Sequence, residues 1–425
     1  MIDYLVGCML AYFVILSHPA YTMDEAQHFF ATSAILSFDW QIFCLGLSFV
    51  YMFYYLLFVV RRPRLICRDG KFRRKLKQHM LIMNEYYWPT FWCFSSHMMT
   101  VCCAVFRAKL PVPYRREYIE TPDGEKLCLD WVDNDDSNSI HPDITTRPTL
   151  VIVPGMTGCS DESYCRNLVL AAKEMGMRSL VMTNRGSGKN WTLKTPRMFS
   201  GNNTDDLRLV MKYLESMFPK SPVIGMGISF GGCIMTHYVS ELNKNQKQMI
   251  GAFLISVQWN CYKSLDSLEK PFNWLLYNRY LTKHLKAIIQ RNLHVYEQHM
   301  NDLPFSLDHV FKSKTIREFD DRLTSKMFGY ENHKEYYDEA TLDSEHLLAK
   351  IRIPTMFLNS ADDPFAPEET IPKELICKNP SISLLLTEYG GHIGFMDSSL
   401  ITSKSLMEKT FQQFAHVILK KGSIS

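Results

Sequence analysis

The residues with the clearest capacity for chemistry lie in the string Gly225-Met226-Gly227-Ile228-Ser229-Phe230-Gly231-Gly232, which contains Gly-x-Ser-x-Gly. It follows the apolar run Pro222 to Ile228 and precedes the amphipathic stretch Gly232 to Leu242. In a strand-turn-helix elbow the serine occupies a strained backbone conformation, and the residues two before and two after it must be small for the turn to close. Gly227 and Gly231 supply that room. The elbow raises the Ser229 hydroxyl above the sheet at a helix N-terminus, where backbone N–H groups and the helix dipole favour developing negative charge. Ser229 is therefore the candidate nucleophile.

A serine hydroxyl is a poor nucleophile at neutral pH, so this reading requires an imidazole base and a carboxylate that orients it. In an elbow architecture the chain order is serine, acid, histidine, with acid and base on loops that follow later strands. The apolar run Thr355 to Leu358 leads into Asn359-Ser360-Ala361-Asp362-Asp363-Pro364-Phe365-Ala366-Pro367, and the run Ile382 to Leu386 leads to Tyr389-Gly390-Gly391-His392-Ile393-Gly394-Phe395. Of fourteen histidines, His392 stands just past the last strand in a glycine-rich loop, which makes it the expected base. Asp362 and Asp363 both qualify as the acid, and Asp363, directly before Pro364-Phe365-Ala366-Pro367, is favoured. Acyl transfer also needs donors for a tetrahedral oxyanion. The amide of Phe230, next to the nucleophile, and that of Met156 in the loop Pro154-Gly155-Met156-Thr157-Gly158 are placed by context to serve. This chemistry calls for no metal and no organic cofactor.

Positioning such residues requires a sheet, and the pattern from about residue 113 onward supplies one. Short apolar runs alternate with longer amphipathic stretches, the sequence form of an α/β domain with a mostly parallel sheet and helices on both faces. Tyr114 to Asn134 reads as an antiparallel hairpin turning at Thr121-Pro122-Asp123-Gly124. Buried strands are expected at Leu150 to Val153, Ser179 to Met182, Pro222 to Ile228, Gly251 to Ser256, Thr355 to Leu358 and Ile382 to Leu386. About 95 residues separate the fourth of these from the fifth, far more than a simple crossover uses. An inserted helical cap over residues 261–345 is predicted there, with Pro271 to Gln290 as an amphipathic helix.

The chain has 425 residues, 46% of them hydrophobic, 13% aromatic and 21% charged, which excludes collagen-like, low-complexity and disordered classes. Its formal charge of +3, from 47 basic and 44 acidic residues, provides no global field for a nucleic acid backbone, so nucleic acid is not an expected partner. Twelve cysteines without a Cys-x-x-Cys pair argue against a structural zinc site and for small buried apolar roles. Residues 1–60 contain no Lys or Arg, and 40–60 carry no charged side chain. These 21 residues would reach about 31 Å as a helix, enough for a hydrocarbon core of ~30 Å, so 40–60 is predicted to cross a membrane. The apolar stretch Tyr4 to Leu16 is too short to span alone.

Residues 1–60 thus read as a membrane anchor, 61–112 as a basic connector and 113–425 as the folded domain. Within 61–77, Arg61, Arg62, Arg64, Arg68, Lys71, Arg73, Arg74, Lys75 and Lys77 face only Asp69, a cluster suited to anionic lipid headgroups. Because these cations follow the span, the positive-inside rule places the residues after 60 in the cytosol. In a lumen, Asn190-Trp191-Thr192 and Asn202-Asn203-Thr204 would become glycosylation acceptors.

Together these elements resemble the α/β-hydrolase superfamily. Val153-Pro154-Gly155-Met156-Thr157-Gly158, Thr183-Asn184-Arg185-Gly186, Thr195-Pro196-Arg197, Ser267-Leu268-Glu269-Lys270-Pro271, Ile316-Arg317-Glu318-Phe319-Asp320 and the strings around Ser229 and His392 resemble abhydrolase domain-containing proteins one and three. That resemblance implies a triad of Ser229, Asp363 and His392, a single N-terminal span, and phospholipase activity on phosphatidylcholine. It also implies a type II orientation, with the catalytic domain outside the cytosol, contrary to the charge pattern. His392 and Asp397 have the His-x-x-x-x-Asp spacing of some glycerolipid acyltransferases, but the triad already engages His392. A carboxylesterase, acyltransferase or peptidase, or a non-catalytic interaction protein on the same fold, are the competing readings. A serine in the elbow argues against dehalogenase and epoxide hydrolase chemistry, which needs a carboxylate there.

Overall fold

The computed structural model describes residues 40, 42–135, 140–188, 192–243, 246–397 and 404–420. Tyr4 to Leu16 and Asn190 lie outside them. Contacts divide the chain into one unit ending at Phe58 and another running from Val59 onward. In the first, a helix from Ile42 onward carries most of the expected span, and Phe43, Leu45, Leu47, Phe49, Val50 and Phe53 are exposed. The stretch Ile42–Val59 is long and apolar enough to cross a membrane by length and composition.

The second unit is built on a nine-stranded sheet. Its strands are β1 (Arg64–Ile66), β2 (Arg115–Glu120), β3 (Lys126–Val132), β4 (Thr149–Val153), β5 (Arg178–Thr183), β6 (Val223–Ile228), β7 (Met249–Ile255), β8 (Thr355–Ser360) and β9 (Ile382–Thr387), in the order β1-β9-β8-β7-β6-β4-β5-β3-β2. From β5 through β4, β6, β7 and β8 to β9 all pairings are parallel. Antiparallel partners close both edges, β1 on β9 and the β2–β3 hairpin on β5. Strands such as β4 (TLVIV) are buried at every residue because helices cover both faces, so their sequences are continuous apolar runs. Separate apolar clusters fill the two faces, one around Leu254, Trp259 and Phe357, the other around Phe253, Phe411 and Phe414.

The helices that matter for the site are α1 (Lys71–His79), α2 (Ser96–Phe106), α3 (Ser163–Glu174), α4 (Asp205–Met217), α5 (Phe230–Glu241), α6 (Arg279–Arg291) and α7 (Leu406–Leu419). Residues 61–112, read above as a basic connector, contribute β1 to the sheet edge and also α1 and α2. In α1 only Phe72 and Leu76 are buried, while Lys71, Arg74 and Lys77 stay exposed. Between β7 and β8 lie the inserted helices, from Cys261 to Lys350. The predicted helix Pro271 to Gln290 is a helical run whose turn Trp274–Asn278 widens to a π-helix before α6. Thr282, Leu285, Ile288 and Ile289 form the buried stripe of α6, and Lys283 is exposed.

The β2–β3 turn also serves the loop after β5. Arg185, almost fully buried, donates to Asp123 of the turn at 2.5 and 3.0 Å and to Asp206 of α4 at 2.7 and 2.8 Å. Desolvation disfavours the buried Arg185 cation, and the two carboxylates outweigh that cost and hold it charged.

Candidate active site

Ser229 sits between β6 and α5 with φ 54° and ψ −119°, a positive φ on a non-glycine residue. Its glycine neighbours show why the strain persists. A Cβ on Gly227 would lie 2.5 Å from the Gly231 carbonyl oxygen, and one on Gly231 would lie 2.1 Å from the Val153 carbonyl oxygen at the end of β4. Backbone therefore packs directly on backbone, and the turn has no room to relax.

The loop after β9 brings His392 to this point. Its Nε2 lies 2.8 Å from the Ser229 Oγ, and its Nδ1 lies 2.9 and 3.0 Å from the two carboxylate oxygens of Asp363. An ionised carboxylate only accepts, so Nδ1 carries the proton and Nε2 is left to accept from the serine hydroxyl. Asp363 Oδ1 also accepts the amides of Phe365 at 2.7 Å and Ala366 at 3.3 Å, which fixes the carboxylate in its turn. The Phe365 ring stacks on the imidazole with centroids 4.0 Å apart. All three side chains are buried. The sequence-predicted nucleophile, base and favoured acid thus form one hydrogen-bonded chain, an arrangement able to move a proton from Ser229 to His392.

A family model described as alpha/beta hydrolase fold matches residues 148–399, which contain all three residues. The chain belongs to the α/β-hydrolase family. It is similar to the human protein named Phospholipase ABHD3, at 39% identity over 379 residues that cover 89% of this chain and 90% of that one. It is also similar to the mouse protein named Monoacylglycerol lipase ABHD2, at 29% identity over 373 residues covering 84% and 85%. These relatives place it among the abhydrolase domain-containing proteins. Among solved structures it resembles the Pyrococcus furiosus esterase Pf2001, with a TM-score of 0.41 and 17% identity over 66% of this chain and 84% of that one.

In this α/β-hydrolase the second aspartate has a different place. Asp362 Oδ1 accepts the Gly391 amide at 2.8 Å, so it braces the loop that carries His392 without touching the imidazole. Burial, reinforced by the charge of Asp363, pushes the Asp362 carboxyl up to about 7. Asp397 is engaged elsewhere, by the Lys409 ammonium at 2.7 Å.

A cavity of about 450 Å3 opens at Ser229 and His392, within the size range of small-molecule sites. Met156 and Phe230, the residues expected to lend oxyanion amides, both line it. Its walls are mainly apolar, with Leu265, Leu276 and Phe365 from the cap and acid loop and Val101 from α2. One polar spot stands out. Asp320 reaches the wall, accepts from the Tyr337 hydroxyl at 2.8 Å and the Thr324 hydroxyl at 2.7 Å, and is pushed up to about 6 by burial. Among the described residues no group of three or more His, Cys, Asp or Glu is arranged to hold a metal.

Sequence reasoning did not find the contribution of α2. Thr100 accepts the His392 amide at 2.8 Å, and the Ser96 hydroxyl donates to the Asp362 carbonyl at 2.5 Å. Met99, Thr100 and Cys103 are the buried residues of that helix.

Proposed function

We propose that this α/β-hydrolase is a membrane-anchored serine hydrolase that cleaves acyl esters of glycerophospholipids, phosphatidylcholine in particular, through an acyl-serine intermediate. The observation that carries the reading is the chain of contacts from Ser229 Oγ to His392 Nε2 at 2.8 Å and from His392 Nδ1 to Asp363 at 2.9 Å. His392 takes the Ser229 proton as the oxygen attacks the ester carbonyl, and Asp363 orients the imidazole and stabilises its cation. The carbonyl oxygen gains the negative charge and accepts from the amides of Met156 and Phe230. Collapse expels a lysolipid alcohol, which leaves with the proton held by His392. Water, deprotonated by the same imidazole, then attacks the acyl-serine, releasing a fatty acid and restoring the Ser229 hydroxyl.

The lipid part rests on the names of the two groups of relatives, the apolar cavity and the apolar helix Ile42–Val59. That helix holds the protein in the bilayer, and the residues after 60 face the cytosol; Arg64 pairs with Glu368 at 2.9 Å rather than facing only Asp69, and the exposed Arg74 and Lys77 are among the cations that lie against anionic headgroups. The test is turnover by the purified full chain of phosphatidylcholine, a monoacylglycerol and a short soluble ester, with Ser229→Ala as control. Fatty acid release from phosphatidylcholine that disappears in Ser229→Ala is the expected result. Preference for the monoacylglycerol would move the substrate toward that of the second relative. Failure of the wild type to react with a fluorophosphonate would overturn the serine mechanism.

A further inference from the structure

Helix α2 lies outside the stretch matched by the α/β-hydrolase family model, yet it touches both loops on which the acid and the base ride. We propose that α2 is a clamp on the site, in which Thr100 is a positioning residue for His392 and Ser96 a positioning residue for the acid loop. The inference rests on the serine hydrolase reading and adds a component to it.

The hydrogen bonds run in a closed circuit. The Thr100 hydroxyl donates to the Ser96 carbonyl at 2.8 Å and accepts the His392 amide at 2.8 Å. The Ser96 hydroxyl donates to the carbonyl of Asp362, whose side chain accepts the Gly391 amide. The Ser360 hydroxyl donates to the Gly391 carbonyl at 2.8 Å and completes the frame. Gly391 and His392 are thus held from both sides, by α2 and by the end of β8.

Steric packing makes the fit close. Gly391 has φ 56°, and a Cβ there would lie 2.5 Å from the Ser96 carbonyl oxygen and 2.6 Å from the Thr100 hydroxyl. Ile393 at φ 62° and Phe395 at φ 43° add two non-glycine residues in the left-handed region, so this loop adopts its shape only under external constraint. Part of that constraint comes from the same segment, since the Cys103 thiol donates to the Ile393 carbonyl and the Tyr87 hydroxyl to the Met396 carbonyl at 3.0 Å.

The clamp is itself anchored. Arg107, which ends α2, pairs with Glu408 at 2.8 Å, both side chains fully buried, and Glu408 also accepts the amide and hydroxyl of Ser405 at the start of α7. At the other end, the His97 Nδ1 and the Tyr277 hydroxyl of the cap are 2.9 Å apart. The α2 side chains Val101, Ala104 and Val105 line the cavity. Catalytic geometry here depends on an angle and a distance at Nε2, and an imidazole misplaced by 1 Å can cost a hundredfold.

The experiment uses the full chain in lipid nanodiscs with Thr100→Val, Thr100→Ser and Ser96→Ala. Readouts are the rate of fluorophosphonate labelling of Ser229, kcat and KM on a short soluble ester, and amide hydrogen exchange across 390–396. Thr100→Val is expected to lower kcat and the labelling rate about tenfold, equivalent to about 1.4 kcal/mol, with KM changed less than about twofold. Exchange across 390–396 should accelerate, and Thr100→Ser should restore all three. Thr100→Val with wild-type labelling and unchanged exchange would overturn the proposal. If Thr100→Val does not fold, Ser96→Ala decides by the same two readouts. A wild type inert to the probe refutes the serine reading alone, because the exchange arm still reports on the clamp.

Discussion

Asp362 and Asp363 are adjacent and chemically identical, Asp363 buried and Asp362 partly so with its Oδ2 enclosed, and Asp362→Asn separates their roles through stability. Burial pushes the Asp362 carboxyl up to about 7, against ~3.9 in an unfolded chain. A carboxyl raised on folding stabilises the native state fully below the unfolded value, and that contribution is lost as pH rises through the folded value. The window is therefore pH 4 to 7. Across all of it the loss amounts to roughly 4 kcal/mol, and between pH 5 and 8 to roughly 3 kcal/mol, an upper bound once the site relaxes and admits water. Asn keeps an oxygen for the Gly391 amide, whereas Oδ2 is buried and accepts no hydrogen bond among the described residues. An amide nitrogen placed there costs roughly 1–3 kcal/mol, independent of pH. Asp362→Asn is expected to be the less stable protein near pH 5 and to match or exceed wild type at pH 8, while retaining activity. Thermal denaturation of both proteins in nanodiscs at half-unit pH steps measures this difference. A stability difference that stays flat from pH 5 to 8 would refute the assignment of the raised carboxyl to Asp362.

Asp363→Asn should fold normally, since its oxygen still accepts the Phe365 amide, but should lower kcat by about four orders of magnitude through the wrong imidazole tautomer, as measured on the soluble ester. Gly231→Ala forces a Cβ against the Val153 carbonyl, and a loss of at least ~3 kcal/mol with loss of probe labelling is expected in denaturant titration, whereas Ser229→Ala should unfold like wild type. Arg107→Ala leaves Glu408 buried and unpaired and should cost roughly 3–5 kcal/mol, with unfolding at a correspondingly lower denaturant concentration. Cys377 is exposed, so in sealed vesicles a membrane-impermeant maleimide should label it from the cytosolic side alone, and labelling only from the lumen would reverse the proposed orientation.

The central sheet was legible because parallel strands buried on both faces leave long apolar runs, and β4 through β9 each fall within two residues of a run visible in the sequence. The Ser229 elbow was legible for a steric reason, since only glycine fits where backbone meets backbone. The residues after Asp363 favour it over Asp362 in the sequence, and two of them, Phe365 and Ala366, donate their amides to the Asp363 carboxylate. Two other elements gave no such signal. The three residues of β1 are short and lie among arginines, so their pairing with β9 depends on a partner more than 300 residues away, beyond any local pattern.

Helix α2 is harder to read for the opposite reason. Its buried stripe of Met99, Thr100 and Cys103 is no more apolar than its exposed Met98, Val105 and Phe106, so the contrast between faces that identifies a core-packed helix is missing. An apolar face left exposed beside a cavity and a polar residue turned inward onto the His392 loop reverse the usual pattern. That inversion accompanies an inner face that hydrogen-bonds the His392 amide and the carbonyls of Asp362 and Ile393. Consistency between local pattern and fold fails most readily where function sets the residues, and among the described residues α2 is one place where it fails.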